Sequence, residues 1–182
     1  IIDGSNADEG EPAPNVIWME DIINVRLDGF TITGGRADNF PYDLEGGGIF
    51  NHRTEAVEIV NCSIYRNYAH WFGGGICSAG KPPLIINCDF SGNATGVCEG
   101  GGLSMQRTPG GSGTQLFLVN CRFAENIANG GGGGLACNNS FNLSPDVIWN
   151  CLFINNSASS GGGVYTSGKL IMTNSSFYNN TA

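Results

Sequence analysis

The residues able to do chemistry fall in three places along the chain. His52 and Arg53 are adjacent, an imidazole that titrates near neutral pH beside a fixed cation, which suits proton transfer. A solvated turn is the plainer account of the same pair. Asp38, Asn39, Asp43 and Glu45 gather oxygen donors in one loop spanning 36–45, as a Ca2+ site would, although their spacing is not that of an EF-hand and acidic surface loops are common. Gln106, Arg107 and Gln115, then Asn138, Asn139, Phe141 and Asp146, supply amides, a guanidinium, an aromatic face and a carboxylate, a mixture suited to holding a sugar. Two tolerated surface insertions would carry the same composition.

Catalysis on polysaccharide makes stricter demands. A lyase needs a base, commonly Lys or Arg, beside a neutralising cation, and a glycosidase needs two carboxylates about 5 to 9.5 Å apart. Outward carboxylates at one repeat position on neighbouring coils would be the signal. Asp89 aligns instead with Ser63, Arg122, Leu152 and Ser176.

That alignment rests on the elements that must position these groups. Glycine triplets recur, each followed by an aliphatic residue: Ile49, Ile76, Leu103, Leu135 and Val164. Those five residues are spaced 27, 27, 32 and 29 apart, a period that signals a solenoid. Between triplets comes an answering phrase, as in Asn87-Cys88-Asp89-Phe90 and Asn120-Cys121-Arg122-Phe123. Ahead of it, apolar residues alternate: Leu84, Ile86, Cys88, Phe90, or Phe117, Val119, Cys121, Phe123. Period two predicts a strand with this set buried and Ile85, Leu118 and Ile148 outward. No segment shows a helical period, and no Asn-Gly or Asp-Gly turn joins paired strands. The expectation is an all-β, right-handed parallel β-helix (a β-solenoid of the pectate-lyase type) of about six coils, one domain over 1–182.

Asn67, Asn93, Asn126, Asn156 and Asn180 each lie three residues past a closing residue and should form a ladder inside a bend, with the left-handed conformation open to them. The closing residues Ile32, Ile64, Phe90, Phe123, Phe153 and Phe177 should stack inward. Cys62, Cys88, Cys121 and Cys151 share one repeat position and should stack beside them, continued by Ser175 and Phe30. A column of small buried hydrophobes and disulfides between neighbouring coils both fit that spacing. With seven cysteines, full internal pairing is impossible.

From the triplet-following residue to the closing residue the coils run 15, 14, 20, 18 and 13 steps. The two long ones are neighbours, so 106–115 and 138–146 should protrude side by side from one edge. Arg53 and Arg107 share one repeat position, and His52, Gln106 and Asn138 share the position before it. Trp71-Phe72 precedes a triplet, either as an exposed aromatic platform or as lateral packing.

Composition narrows the classes further. The net charge of −8 argues against nucleic acid, and 12 of the 16 carboxylates lie before residue 59. No run of about 18 apolar residues exists, so this segment spans no membrane as a helix. The chain opens mid-pattern at Ile1-Ile2-Asp3-Gly4 and stops where another triplet is due, and so reads as a piece of a longer protein.

Phe90-Ser91-Gly92-Asn93, Phe123-Ala124-Glu125-Asn126, Phe153-Ile154-Asn155-Asn156 and Phe177-Tyr178-Asn179-Asn180, with Gly-Gly-x-Ile/Leu/Val, resemble the repeat pair of the chlamydial polymorphic outer membrane proteins. They are similar too to those of the wider group of bacterial right-handed parallel β-helix surface proteins. Ile64-Tyr65-Arg66-Asn67 departs at its first position, and Gly48, Gly75, Gly102, Gly134 and Gly163 stand where the chlamydial repeat usually has Ala. The resemblance implies an exported, surface-displayed bacterial passenger or stalk, adhesive or structural, with a glycan or a protein of a host or neighbouring cell surface as partner. No cofactor is expected from the residues, Ca2+ at the 36–45 loop apart. The alternative function is a polysaccharide lyase or glycoside hydrolase on the same scaffold.

Overall fold

The computed structural model describes residues 1–5, 12–38, 44–106, 115–138 and 144–182. Among them are 24 strands and no helix. The coil that starts at Leu103 shows the plan: strands Leu103–Gln106, Phe117–Val119, Arg122–Ala124 and Ile127–Gly131 follow one another around the turn. Each pairs in parallel with its equivalent one coil earlier and one coil later. The result is four sheets, of six strands through Leu103, six through Phe117, seven through Phe123 and five through Ile127. This is a parallel β-helix, as the period demanded.

The core is built of rungs. Through Phe123 the inward column is Ile32, Ile64, Phe90, Phe123 and Phe153, all fully buried. The rings of Phe90, Phe123, Phe153 and Phe177 stack at 4.5, 4.9 and 4.8 Å, within 8° of parallel. Phe177 belongs to the last coil and is 48% exposed. Ile49, Ile76, Leu103 and Leu135 fill the opposite wall, and Ala37, Ala69, Ala128 and Ala158 the narrow corner.

The four cysteines stack as expected. Their thiols donate to the carbonyls of Val60, Ile86, Val119 and Trp149 at 3.2 to 3.4 Å. All seven cysteines are free thiols. Ser175 continues the column, accepting from the Cys151 N–H at 3.2 Å. Phe30 holds the same repeat position at the other end, its carbonyl accepting from the Ser63 N–H at 2.8 Å as that of Cys62 accepts from Asp89, with its side chain 38% exposed.

The alternation ahead of each cysteine is corrected by the structure. Ile59, Ile85, Leu118 and Ile148 point inward and are fully buried, whereas Phe117 and Trp149 are exposed. The reason is a bend. Asn61, Asn87, Asn120, Asn150 and Asn174 adopt left-handed φ of 50 to 54°, which reverses the face between one strand and the next. The ladder asparagines are absent from that left-handed set. There the residue before them turns: Arg66, Gly92, Glu125, Asn155 and Asn179.

Both sets of asparagines form ladders. The inner one is saturated. Asn126 Nδ2 donates to Asn156 Oδ1 (2.9 Å) and to the Phe90 carbonyl (2.9 Å), while its Oδ1 accepts from Asn93 Nδ2 and from the Asn93 N–H (3.0 Å each). Four bonds use the full capacity of that amide, as burial requires. The outer ladder is exposed: Asn87, Asn120, Asn150 and Asn174 each donate to the amide one coil earlier at 2.7 to 3.2 Å, and Asn61 donates to Asp28 at 2.8 Å.

Glycine triplets bring neighbouring coils together. Gly100 has a φ of +72°, and a Cβ on Gly101 or Gly102 would lie 2.4 Å from the Ile127 carbonyl oxygen or 2.6 Å from that of Gly134. The third glycine thus stands against backbone, and an alanine there needs the next coil to move away.

Candidate binding edge

Gln106 and Asn138 end neighbouring strands and are register partners. The chain rejoins the scaffold at Phe117 and Val147, again partners. The ends of the two long connections therefore lie on adjacent rungs. Asn138 Nδ2 donates to Glu99 Oε2 (2.6 Å) and Gln106 Oε1 (3.3 Å), and Gln106 Nε2 donates to Ser104 Oγ (2.7 Å). Gln115 Nε2 donates to the Pro145 carbonyl at 2.8 Å, tying one connection to the other.

Asp146 sits elsewhere than on the rim. It is fully buried, and Oδ1 accepts from the Leu116 N–H at 2.9 Å, so its carboxylate anchors the point where the connections rejoin the wall. Arg107, Asn139 and Phe141 lie outside the described residues.

His52 and Arg53 hold a second cluster whose other half, Glu20 and Asp21, sequence reasoning missed. Glu20 is the register partner of His52 one coil earlier. His52 Nδ1 lies 3.2 Å from Glu20 Oε1, and Arg53 bridges Glu20 (2.8 Å) and Asp21 (2.7 Å from Nε). The His52 ring and the Trp18 indole hold the Glu20 carboxyl below its usual range, and Arg53 does the same for Asp21. Aligning Ile17 with Ile49 would have placed Glu20 over His52. The same oversight hid Arg26, which bridges Asp28 and Glu58.

Asp38 pairs with Arg36 at 2.6 Å. Glu45 is half-buried and accepts from the Cys77 thiol at 3.5 Å, and burial pushes its carboxyl pKa up. Asp43 and Asn39 lie outside the described residues. Among the described residues no three His, Cys, Asp or Glu side chains are grouped to hold a metal ion. The Trp71 side chain is exposed, and its backbone N–H donates to the Leu44 carbonyl at 2.8 Å.

The Chlamydia polymorphic membrane protein (Chlamydia_PMP) repeat matches residues 150–167. This chain is a β-helix protein with repeats similar to those of the chlamydial polymorphic membrane proteins. The matched stretch runs from the exposed Asn150 through buried Phe153 and Asn156 to the triplet at Gly161 and the strand Val164–Thr166, one answering phrase and one triplet. Fold and repeat together fit a bacterial surface-protein repeat module. No curated protein and no solved structure matches the chain. No helix among the described residues is long and apolar enough to cross a membrane.

Proposed function

We propose that the chain is an exported bacterial surface module, adhesive or structural, whose solenoid displays the paired connections 106–115 and 138–146 to a glycan or to a protein of another cell surface. One observation carries this reading: two long connections leave on adjacent rungs of an otherwise short-looped wall. A rigid scaffold tolerates length there because the stacked strands stay undisturbed, and loops so held are where binding groups usually sit. Three outward carboxylates on the neighbouring walls are paired with arginines, Asp28 and Glu58 by Arg26 and Asp89 by Arg122, which favours display over hydrolysis.

The test is an array of glycans and surface proteins probed with the chain and with a variant in which both connections are shortened to the length found in the Ile76 coil. The shortened chain should keep its melting temperature within a few degrees and lose the contacts seen with the parent. Unchanged binding would refute the edge. Turnover of pectin or alginate that is abolished by His52→Ala would replace the reading with a lyase.

A further inference from the structure

The wall through Phe117 has an outer face of unusual order. Its first rungs are charged: Arg26, Asp28 and Glu58 form one ion-pair cluster. From the next rung onward both outward columns are apolar for three coils. Leu84, Phe117, Val147 and Ile171 are successive register partners, and two residues along the strands Ile86, Val119 and Trp149 are another set. Trp149 is 55% exposed, Phe117 39%. Immediately beside Trp149 runs the exposed amide ladder of Asn87, Asn120, Asn150 and Asn174. Asn87, Asn120 and Asn150 each spend one N–H and one lone pair on their neighbours and have one of each to spare.

We infer that this strip is a binding site for a neutral polysaccharide, lying along the solenoid axis with its ring faces on Phe117 and Trp149 and its hydroxyls on the outer amide ladder. The inference stands apart from the loop edge proposed above. Three features select this occupant. The strip bears no charge on a molecule of net charge −8, so uronate polymers are repelled and uncharged ones are not. Its groups repeat every coil, at about 4.8 Å, close to the length of one pyranose unit, which matches a chain that itself repeats. Its width is two side chains and an amide, and its length about 14 Å over three coil steps, far short of the roughly 800 Å² per partner that a stable protein pair buries. Aromatic faces flanked by hydrogen-bonding amides recognise a sugar by its two kinds of surface, C–H faces and hydroxyl rims.

The experiment is a pull-down of the whole chain on microcrystalline cellulose, chitin and β-glucan, with polygalacturonate as the acidic counterpart and sedimentation analysis in parallel. The chain should bind at least one of the neutral polymers and leave polygalacturonate in solution. Trp149→Ala and Phe117→Ala should each weaken that binding by about tenfold, the loss expected for one stacking partner, while Trp149→Tyr and Phe117→Tyr retain most of it. Shortening the two connections should leave it intact, which separates this site from the loop edge. Both positions are on the outer face, so circular dichroism should show the variants folded. Binding to polygalacturonate instead, or neutral-polymer binding untouched by the double alanine variant, would overturn the inference. Concentration-dependent dimerisation abolished by the same variant, without glycan binding, would overturn it in favour of a second copy.

Discussion

At the scale of the residue, the inner asparagine is the most constrained position in the molecule. Asn93, Asn126 and Asn156 each carry two donor and two acceptor bonds on a fully buried amide. Asn126→Ala would strand the backbone N–H and one side-chain N–H of Asn93 and take a donor from the Phe90 carbonyl, while the Asn156 amide oxygen keeps the Asn126 backbone N–H; at about 1 to 3 kcal/mol per unpaired buried group, partly relieved by relaxation, the loss should be on the order of 2 to 5 kcal/mol. Urea denaturation of the variant reads this directly. An unchanged midpoint would mean that the ladder contributes nothing. Glu45 gives a prediction of opposite sign. Its carboxyl pKa is raised by burial from 4.5, so the folded state favours the neutral form. The stability this brings is fully present below that ordinary value and is lost as pH rises through the folded-state value. Glu45→Gln should therefore match the parent at pH 4 and melt higher at pH 7. Equal melting temperatures at both values would place Glu45 in solvent.

At the scale of the element, the triplet and the answering phrase divide the work: one lets coils approach, the other turns the chain. Gly102→Ala puts a methyl 2.6 Å from a carbonyl oxygen and 3.1 Å from the Phe123 ring. Overpacking of this kind should cost about 1 to 3 kcal/mol, measurable by thermal melting. A neutral substitution would show that the coils slide apart freely. The strands themselves were legible from spacing, and so were the Phe column, the cysteine stack and the adjacency of Gln106 and Asn138, because each depends only on counting along a repeat. The facing of Ile85 and Leu118 was not. Simple alternation assumes a straight strand, and Asn87 and Asn120 each break it with one left-handed residue. The burial of Asp146 was equally hidden, since a lone carboxylate in an insertion looks like a surface group until its partner, a backbone N–H, is seen.

At the scale of the whole molecule, stability is a sum over coils and their interfaces rather than a property of one centre. Phe123 lies mid-stack between two rings, and Phe123→Ala should cost about 3 to 5 kcal/mol. Phe177, with one neighbour and half its surface in solvent, should cost under half as much on truncation. Paired denaturation curves test this, and equal losses would mean that the last coil is as well packed as the middle. Native-state hydrogen exchange should show the same gradient, with amides of Ser176–Tyr178 exchanging ahead of those of Arg122–Ala124.

The four phenylalanine rings have a consequence in optics. Aromatic rings held nearly parallel and 4.5 to 4.9 Å apart couple their electronic transitions, and the fixed tilt from coil to coil makes that coupling chiral. The stack should therefore give the near-ultraviolet circular dichroism a phenylalanine band far stronger than isolated rings produce. Because each rung adds one coupled pair, the band should shrink in steps as coils detach, an intrinsic gauge of how many remain wound.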